Sequence, residues 1–485
     1  MGPNWKNRTL WTADNLHVMR GMNSESVDLI YLDPPFNSNQ DYAAPIGSEA
    51  AGASFKDTWT LSDVDEAWHG EIAEQQPRLY SILDATGNAH GASMKSYLIM
   101  MAVRLMEMRR ILKPTGSVYL HCDPTAGHYL KMMMDTLFGP LNFRNELVWK
   151  RTGAHGGAKR WGPIHDTLLF YTCSASYTWN RTFQPYDPEY IDRDYRHEDE
   201  FGRYQTVSLT GPGTRDGSSG LPWRERDPTA IGRHWALPTE RALPEWVSVP
   251  TNYDELSCQK RLEVLEDQGV IYWSAKEGSM PRYKRYLAVS PGNAIQDVIW
   301  DIRPISSQAK ERVGYPTQKP LALLDRIIKA SSNEGDVVFD PFCGCATALV
   351  SADSLSRRWI GIDLSPLAAE LVKARLRREK GLFHEIHHRT DLLRRTDQEH
   401  VPHYRTHKHT LFGRQEGRCA GCRIVFPFRN FTVDHVEPKA HGGTDHLDNL
   451  QLLCNACNSR KGTKSQARFL AEMKADYGAI WEGRR

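Results

Sequence analysis

The chain has 485 residues but no long apolar run. Its longest, residues 97–103, falls far short of the roughly 20 residues a helix needs to cross a bilayer. The first residues, Met1-Gly2-Pro3-Asn4-Trp5-Lys6, hold no signal-peptide apolar region and no Ser or Thr at the place a myristoylation signal requires. These absences predict a cytoplasmic protein with no membrane partner. No GxxxxGK[ST] phosphate loop occurs, so the sequence encodes no nucleotide-driven motor. Internal repeats are also missing. Cysteine is sparse and odd in number, nine in all, with four in two C-x-x-C pairs. That argues against a disulfide framework and for a metal site. Net charge is only +2, which excludes a strongly basic chain. From residue 381 onward, however, 17 Lys and Arg stand against 12 Asp and Glu, with ten of the 19 His. The length predicts two or three domains.

Two short strings are present instead, Asp33-Pro34-Pro35-Phe36 and Asp340-Pro341-Phe342-Cys343-Gly344. Each follows a β-branched, apolar run and reads as the end of a buried parallel strand. In open α/β sheets that edge binds ligands. The first string offers a carboxylate, a rigid Pro carbonyl and an aromatic face. The second offers a small-residue turn suited to a cofactor. Between residues 94 and 113, Leu98, Met101, Leu105, Met108 and Leu112 recur at helical spacing. Residues 151–302 are rich in Gly, Pro, Arg and Trp and read as a loop-rich insertion. Alternating helix and strand resume at 320 and run to 380. Residues 381–412 read as a linker, and a compact Cys- and His-containing module follows.

This order resembles the β-class of S-adenosylmethionine-dependent amino-methyltransferases of DNA. The resemblance covers residues 8–380. It implies a Rossmann-like α/β sheet in which 1–150 form the catalytic half, 151–302 a target-recognition insertion and 303–380 the cofactor half. It also implies roles. Asp33 and the Pro34 carbonyl, with Pro35, hold the target amine, and Phe36 stacks on a flipped base. Asp340, Phe342 and Gly344 form the cofactor loop. Asp363, at the end of the next strand, binds ribose hydroxyls, and a helix cap is an equally simple use of it. Thr317 and Lys319, in Pro316-Thr317-Gln318-Lys319-Pro320, close over the methionine end of the cofactor. Asp14, in Asp14-Asn15, lies near its adenine. The family commonly has Gly-Ser-Gly-Thr where this chain has Gly344-Cys345-Ala346-Thr347. Asp in the first position, Asp33, favours adenine N6 over cytosine N4, which stays open as the alternative. Trp149-Lys150-Arg151, Lys159-Arg160-Trp161 and Trp223-Arg224-Glu225-Arg226 mix cations and aromatics as contacts to double-stranded DNA do.

Cys419-x-x-Cys422 and Cys454-x-x-Cys457, 31 residues apart, form a strong structural zinc signal. With Asp434-His435, Asn449 and Asn458 the segment resembles an HNH nuclease, a small ββα fold within 413–485. The resemblance implies that His435 activates water, a task suited to an imidazole near neutral pH. Asp434 and Asn458 would bind Mg²⁺, and Asn449 would brace the loop. His441 and His446 have no matching role. The expectation is a bifunctional restriction-modification enzyme of a bacterium, archaeon or phage. A solitary methyltransferase whose zinc module binds DNA without cutting it is the alternative.

Overall fold

The structure is a computed structural model. It describes residues 2–35, 41–43, 54–56, 63–153, 159–306, 308–315, 317–380, 385–397, 403–415 and 417–481. Phe36 and Pro316 lie outside the described residues. The chain divides into two compact units, one of residues 1–182 with 296–485 and one of Phe183–Ile295.

The first unit is built on a mixed nine-stranded sheet. Its order is Val298–Ile299, Phe143–Lys150, His165–Thr172, Leu112–Cys122, Val27–Leu32, Val337–Asp340, Arg358–Asp363, Thr9–Thr12 and His387–Arg389. The strands Val27–Leu32 and Val337–Asp340 are parallel neighbours, with Leu29 opposite Val338 and Ile30 opposite Phe339. Both are buried nearly throughout, as a sheet covered on two faces requires. The strings after them therefore emerge side by side at one sheet edge. The helix expected over 94–113 spans Ala92–Ile111, and its all-round burial explains the dense apolar spacing.

Two expectations need correction. Residues 151–302 are not a single insertion, because His165–Thr172 pairs antiparallel inside the main sheet. Residues 381–412 are not merely a linker. His387–Arg389 adds an edge strand beside Thr9–Thr12, and the strap after it is tied to the body. Trp11 Nε1 donates to the Asp391 carbonyl at 3.1 Å, and Ser24 N to Asp397 at 2.7 Å.

The second unit carries a four-stranded antiparallel sheet of His197–Asp199, Gly202–Ser208, Arg282–Tyr286 and Ile271–Tyr272. Trp223 and Trp235 lie in its core with Tyr204, Tyr253 and Tyr283. Trp223 is thus a packing residue, as is Trp149 in the main sheet, whereas Trp161 is almost fully exposed.

The C-terminal module packs Phe431–His435 against Leu450–Cys454, followed by the helix Asn455–Lys461. It belongs to the first unit. Its leading helix, Lys408–Arg414, meets the helix Asp63–Gln75 through two reciprocal glycines. A Cβ on Gly413 would come within 2.6 Å of Trp68, and one on Gly70 within 2.4 Å of His409. Only glycine permits that approach. Among the described residues no helix is long and apolar enough to cross a membrane.

Candidate functional site

At the edge where the two strands end, a cavity of about 780 Å³ opens. Asp14, Asp33, Pro34, Pro35, Thr317, Lys319, Asp340, Phe342, Gly344 and Asp363 all line it. Its size falls in the usual range for small-molecule sites. Four acids face two cations, Arg104 and Lys319.

Asp33 is held from one side only. Lys319 Nζ donates to its Oδ2 at 2.5 Å, and the lysine is buried. Asp33 Oδ1 is buried with no hydrogen-bond partner among the described residues. Lys319 also reaches the Thr317 carbonyl at 3.2 Å. Thr317 has φ of +63°, unusual for a β-branched residue, and Ala346 has the same value. Both border the cavity edge or its loop, where such strain tends to gather. Gly344 has φ of +48°, and a side chain there would press on the Tyr315 ring at 3.0 Å.

Asp363 accepts from Gly344 N and Ser365 N, each at 2.8 Å. It thus ties the loop after Val337–Asp340 to the start of the helix Pro366–Lys380. Burial raises its carboxyl above the usual value. Asp340 accepts from Phe342 N at 3.0 Å. Burial raises its carboxyl well above the usual value, the Phe342 N–H offsets part of this, and the charges of Asp33 and Asp363 add to the rise. Asp14 caps the helix Asn15–Gly21 and pairs with Arg104 at 3.0 Å. Burial works against its charge, yet Arg104 and His17 hold its carboxyl below the usual value. Asn15 Nδ2 donates to the Pro341 carbonyl at 2.8 Å and so links this corner to the second string.

Sequence reasoning missed two features here. Trp68, from the helix that carries the module, lines the cavity, with Arg104 5.5 Å from its ring centre. Next to the loop that follows Val27–Leu32, the Tyr31 hydroxyl meets His121 Nδ1 at 3.0 Å, and His121 Nε2 meets Asp166 at 3.1 Å. Arg151 pairs with the same Asp166 at 3.0 Å. Burial, aided by nearby Lys319, lowers the proton affinity of His121. The only sequence signal for this row was a His and an Asp inside otherwise apolar strands.

In the module, the Sγ atoms of Cys419, Cys422, Cys454 and Cys457 lie within 4.8 Å of one another, and all four residues are buried. Four thiolates so close are the ligand set of a tetrahedral structural zinc. His435 Nε2 contacts Asp445 Oδ1 at 2.7 Å. Lys439 and His435 hold the Asp445 carboxyl down to about 2. Asp445 was not foreseen. Neither was Lys461, which is fully buried and pairs with Asp434 Oδ2 at 2.7 Å. Its Nζ also donates to the His435 carbonyl at 2.5 Å. Gln451 donates to the same Asp434 oxygen at 2.8 Å. Asn449 bonds the backbone of Glu437 through both its oxygen and its nitrogen, at 2.8 and 3.1 Å, and the Thr444 carbonyl at 2.9 Å. Asn458 lies on the helix Asn455–Lys461, one turn before Lys461. His441 and His446 are exposed.

Residues 27–374 match the family model described as DNA methylase, and residues 419–464 match that of HNH endonuclease. Type II methyltransferase M.HpaI of Haemophilus parainfluenzae is 43% identical over 377 residues, which cover 78% of this chain and 76% of that protein. DNA adenine methyltransferase YhdJ of Escherichia coli is 44% identical over 88 residues, 18% of this chain and 27% of that protein. A solved DNA modification methylase from Thermus thermophilus, complexed with S-adenosyl-L-methionine, aligns with 79% of this chain and 98% of its own, at 15% identity and a TM-score of 0.36.

Proposed function

The chain belongs to the DNA methylase family and carries an HNH endonuclease domain, and from that premise we propose that it methylates adenine N6 in duplex DNA and also cuts DNA. The observation that carries the first part is the asymmetry of Asp33. One oxygen is fixed by Lys319; the other is buried and unused. An exocyclic amine brings two N–H donors. Asp33 Oδ1 takes one and the Pro34 carbonyl the other, which turns the nitrogen lone pair outward. The proton released from nitrogen then has Asp33 Oδ1 as its nearest acceptor.

S-adenosylmethionine, when bound, would supply the electrophilic methyl on a sulfonium. The cavity suits it in volume, and four acids against two cations complement its positive charge. Asp14, Asp340, Phe342, Gly344, Asp363 and Thr317 would hold it, with Lys319 bridging to Asp33. Adenine is favoured by Asp33 in the first position and by the local likeness to YhdJ. Target reading we assign to the separate unit Phe183–Ile295.

In the module, the contact with Asp445 leaves His435 Nδ1 as the basic nitrogen toward water. Asn449 braces the loop that holds this pair. Both contacts on Asp434 fall on Oδ2, so its Oδ1 would be the oxygen offered to Mg²⁺, with Asn458 assigned as a second ligand by the family resemblance alone. Mg²⁺, when bound, would stabilise charge on a scissile phosphate. The four cysteines would hold Zn²⁺. Joined in one chain, the two activities constitute restriction and modification.

Nucleoside mass spectrometry of DNA treated with the purified chain tests the methylation. N6-methyladenine is expected, and Asp33→Asn should lower its formation by about 10²–10⁴-fold while cofactor binding persists. N4-methylcytosine as the sole product would move the target to cytosine. His435→Ala should abolish Mg²⁺-dependent cleavage and leave zinc content and methylation unchanged. A wild-type chain that cuts no DNA with Mg²⁺ or Mn²⁺ would leave the methylase reading alone.

A further inference from the structure

A second cavity, of about 640 Å³, lies where the methylase body meets the HNH module. Its walls come from elements far apart in sequence. Arg20 belongs to the helix Asn15–Gly21, Arg394 to the strap, and Arg414 to the helix Lys408–Arg414. His407 precedes that helix, and Thr444 lies on the loop after His435.

Three nitrogens in this wall are buried without a hydrogen-bond partner among the described residues: Arg20 Nη1, His407 Nε2 and Arg414 Nε. Buried polar atoms are rarely left so, and three that border one space point to something that belongs there. The acids nearby are already engaged. Arg20 Nη2 takes both oxygens of Glu71 at 2.7 Å. Asp448 is paired with Arg394 at 3.0 Å and lies 3.8 Å from Arg414. Burial and the charges of Arg414 and Arg20 lower the proton affinity of His407. Burial and the charge of Arg20 do the same to Arg414. Arg20 keeps Glu71 and Arg414 faces Asp448, yet one nitrogen of each, like His407 Nε2, is left without an acceptor among the described residues. An anion with several acceptor oxygens would satisfy all three nitrogens, and guanidinium forks match a phosphate best.

We propose that this cavity is a phosphate-binding site built jointly by the methylase body and the HNH module. It rests on neither catalytic assignment. The phosphate is either a backbone phosphate of duplex DNA or a free phosphate ester, and the chemistry of recognition is the same.

The test uses the full chain and two variants. Arg414→Gln removes one of the unpartnered donors. Thr444→Glu sets a carboxylate at the exposed rim, where it leaves the core intact, and it decides the matter where Arg414→Gln fails to fold. One arm compares melting temperature in inorganic phosphate and in chloride at equal ionic strength. The other measures affinity for duplex DNA across salt concentrations. Phosphate-specific stabilisation of the wild type that both variants lose, with DNA affinity unchanged, supports a free phosphate ligand. A threefold or greater loss of DNA affinity in the variants, with the slope of log K against log salt reduced by about one, supports a DNA phosphate. Folded variants that match the wild type in both arms overturn the proposal.

Discussion

Asp340 and Asp33 end neighbouring strands, and their carboxylates face one cavity with opposite assignments. Asp33 has a cation on it; Asp340 is buried and, among the described residues, accepts only the Phe342 N–H. The raised carboxyl of Asp340 has two consequences of opposite sign. In the empty protein it favours the protonated form, so its contribution to stability is present at low pH. That contribution is lost as pH rises from the ordinary carboxylate value near 4 through the raised one. For a cationic cofactor the ionised form binds better. Affinity should therefore be full above the raised value and fall as pH drops through it, beginning well above 4. Calorimetric titration of S-adenosylmethionine across pH checks this. Asp340→Asn should flatten the profile; a slope unchanged in that variant would assign the titration elsewhere.

At the scale of elements, the strap of residues 387–397 matters most. Leu393 is buried in the main core, its carbonyl fills the space beside Gly21, and Arg389 lies over Trp11. Asn23 and Thr396 exchange several hydrogen bonds, among them one of 2.8 Å. Burying one leucine contributes about 1.5–3 kcal/mol, and the bonds to otherwise bare backbone add to that. A chain cut after residue 380 should melt several degrees below one cut after residue 397, as followed by circular dichroism. Equal melting temperatures would show that the strap contributes nothing. This element was not legible in sequence for a physical reason. His387-His388-Arg389 has no apolar alternation, and an edge strand three residues long is recognised by its partner's backbone. The strings after Val27–Leu32 and Val337–Asp340 were legible because buried parallel strands are continuous apolar runs, and a polar residue that breaks such a run stands out. The pairs His435–Asp445 and Asp434–Lys461 were not. Their partners lie 10 and 27 residues apart across loops that only the folded chain closes. Trp68 was hidden likewise, since the cavity it lines is assembled from other elements.

At the scale of the whole molecule, the four-cysteine module is not hung from the methylase body but seated on it. Its core of Phe412, Phe431, Leu452, Leu453 and Phe469 surrounds the four cysteines. With zinc on the four cysteines, so small a core would depend on the metal for its stability, because zinc binding and folding are one equilibrium in such modules. Phe412 belongs to this core, while Gly413, the next residue, leaves the space that Trp68 fills. Loss of zinc should therefore loosen the helix Lys408–Arg414 and free Trp68 from its contact with that helix, leaving its contact with Arg104. Asp33, Lys319 and Pro34 depend on other contacts and should stay in place. The expected signature is a split. Stripping zinc with a chelator should weaken cofactor binding about three- to tenfold, roughly 0.6–1.4 kcal/mol, through disorder in one cavity wall. The rate of methyl transfer at saturating cofactor should hardly change, because uniform binding has been lost and not transition-state stabilisation. Single-turnover rates and cofactor titrations before and after chelation, with hydrogen exchange to report unfolding of residues 417–481, measure both halves. A module that unfolds while cofactor affinity stays constant would show that Trp68 keeps its place without the helix above it.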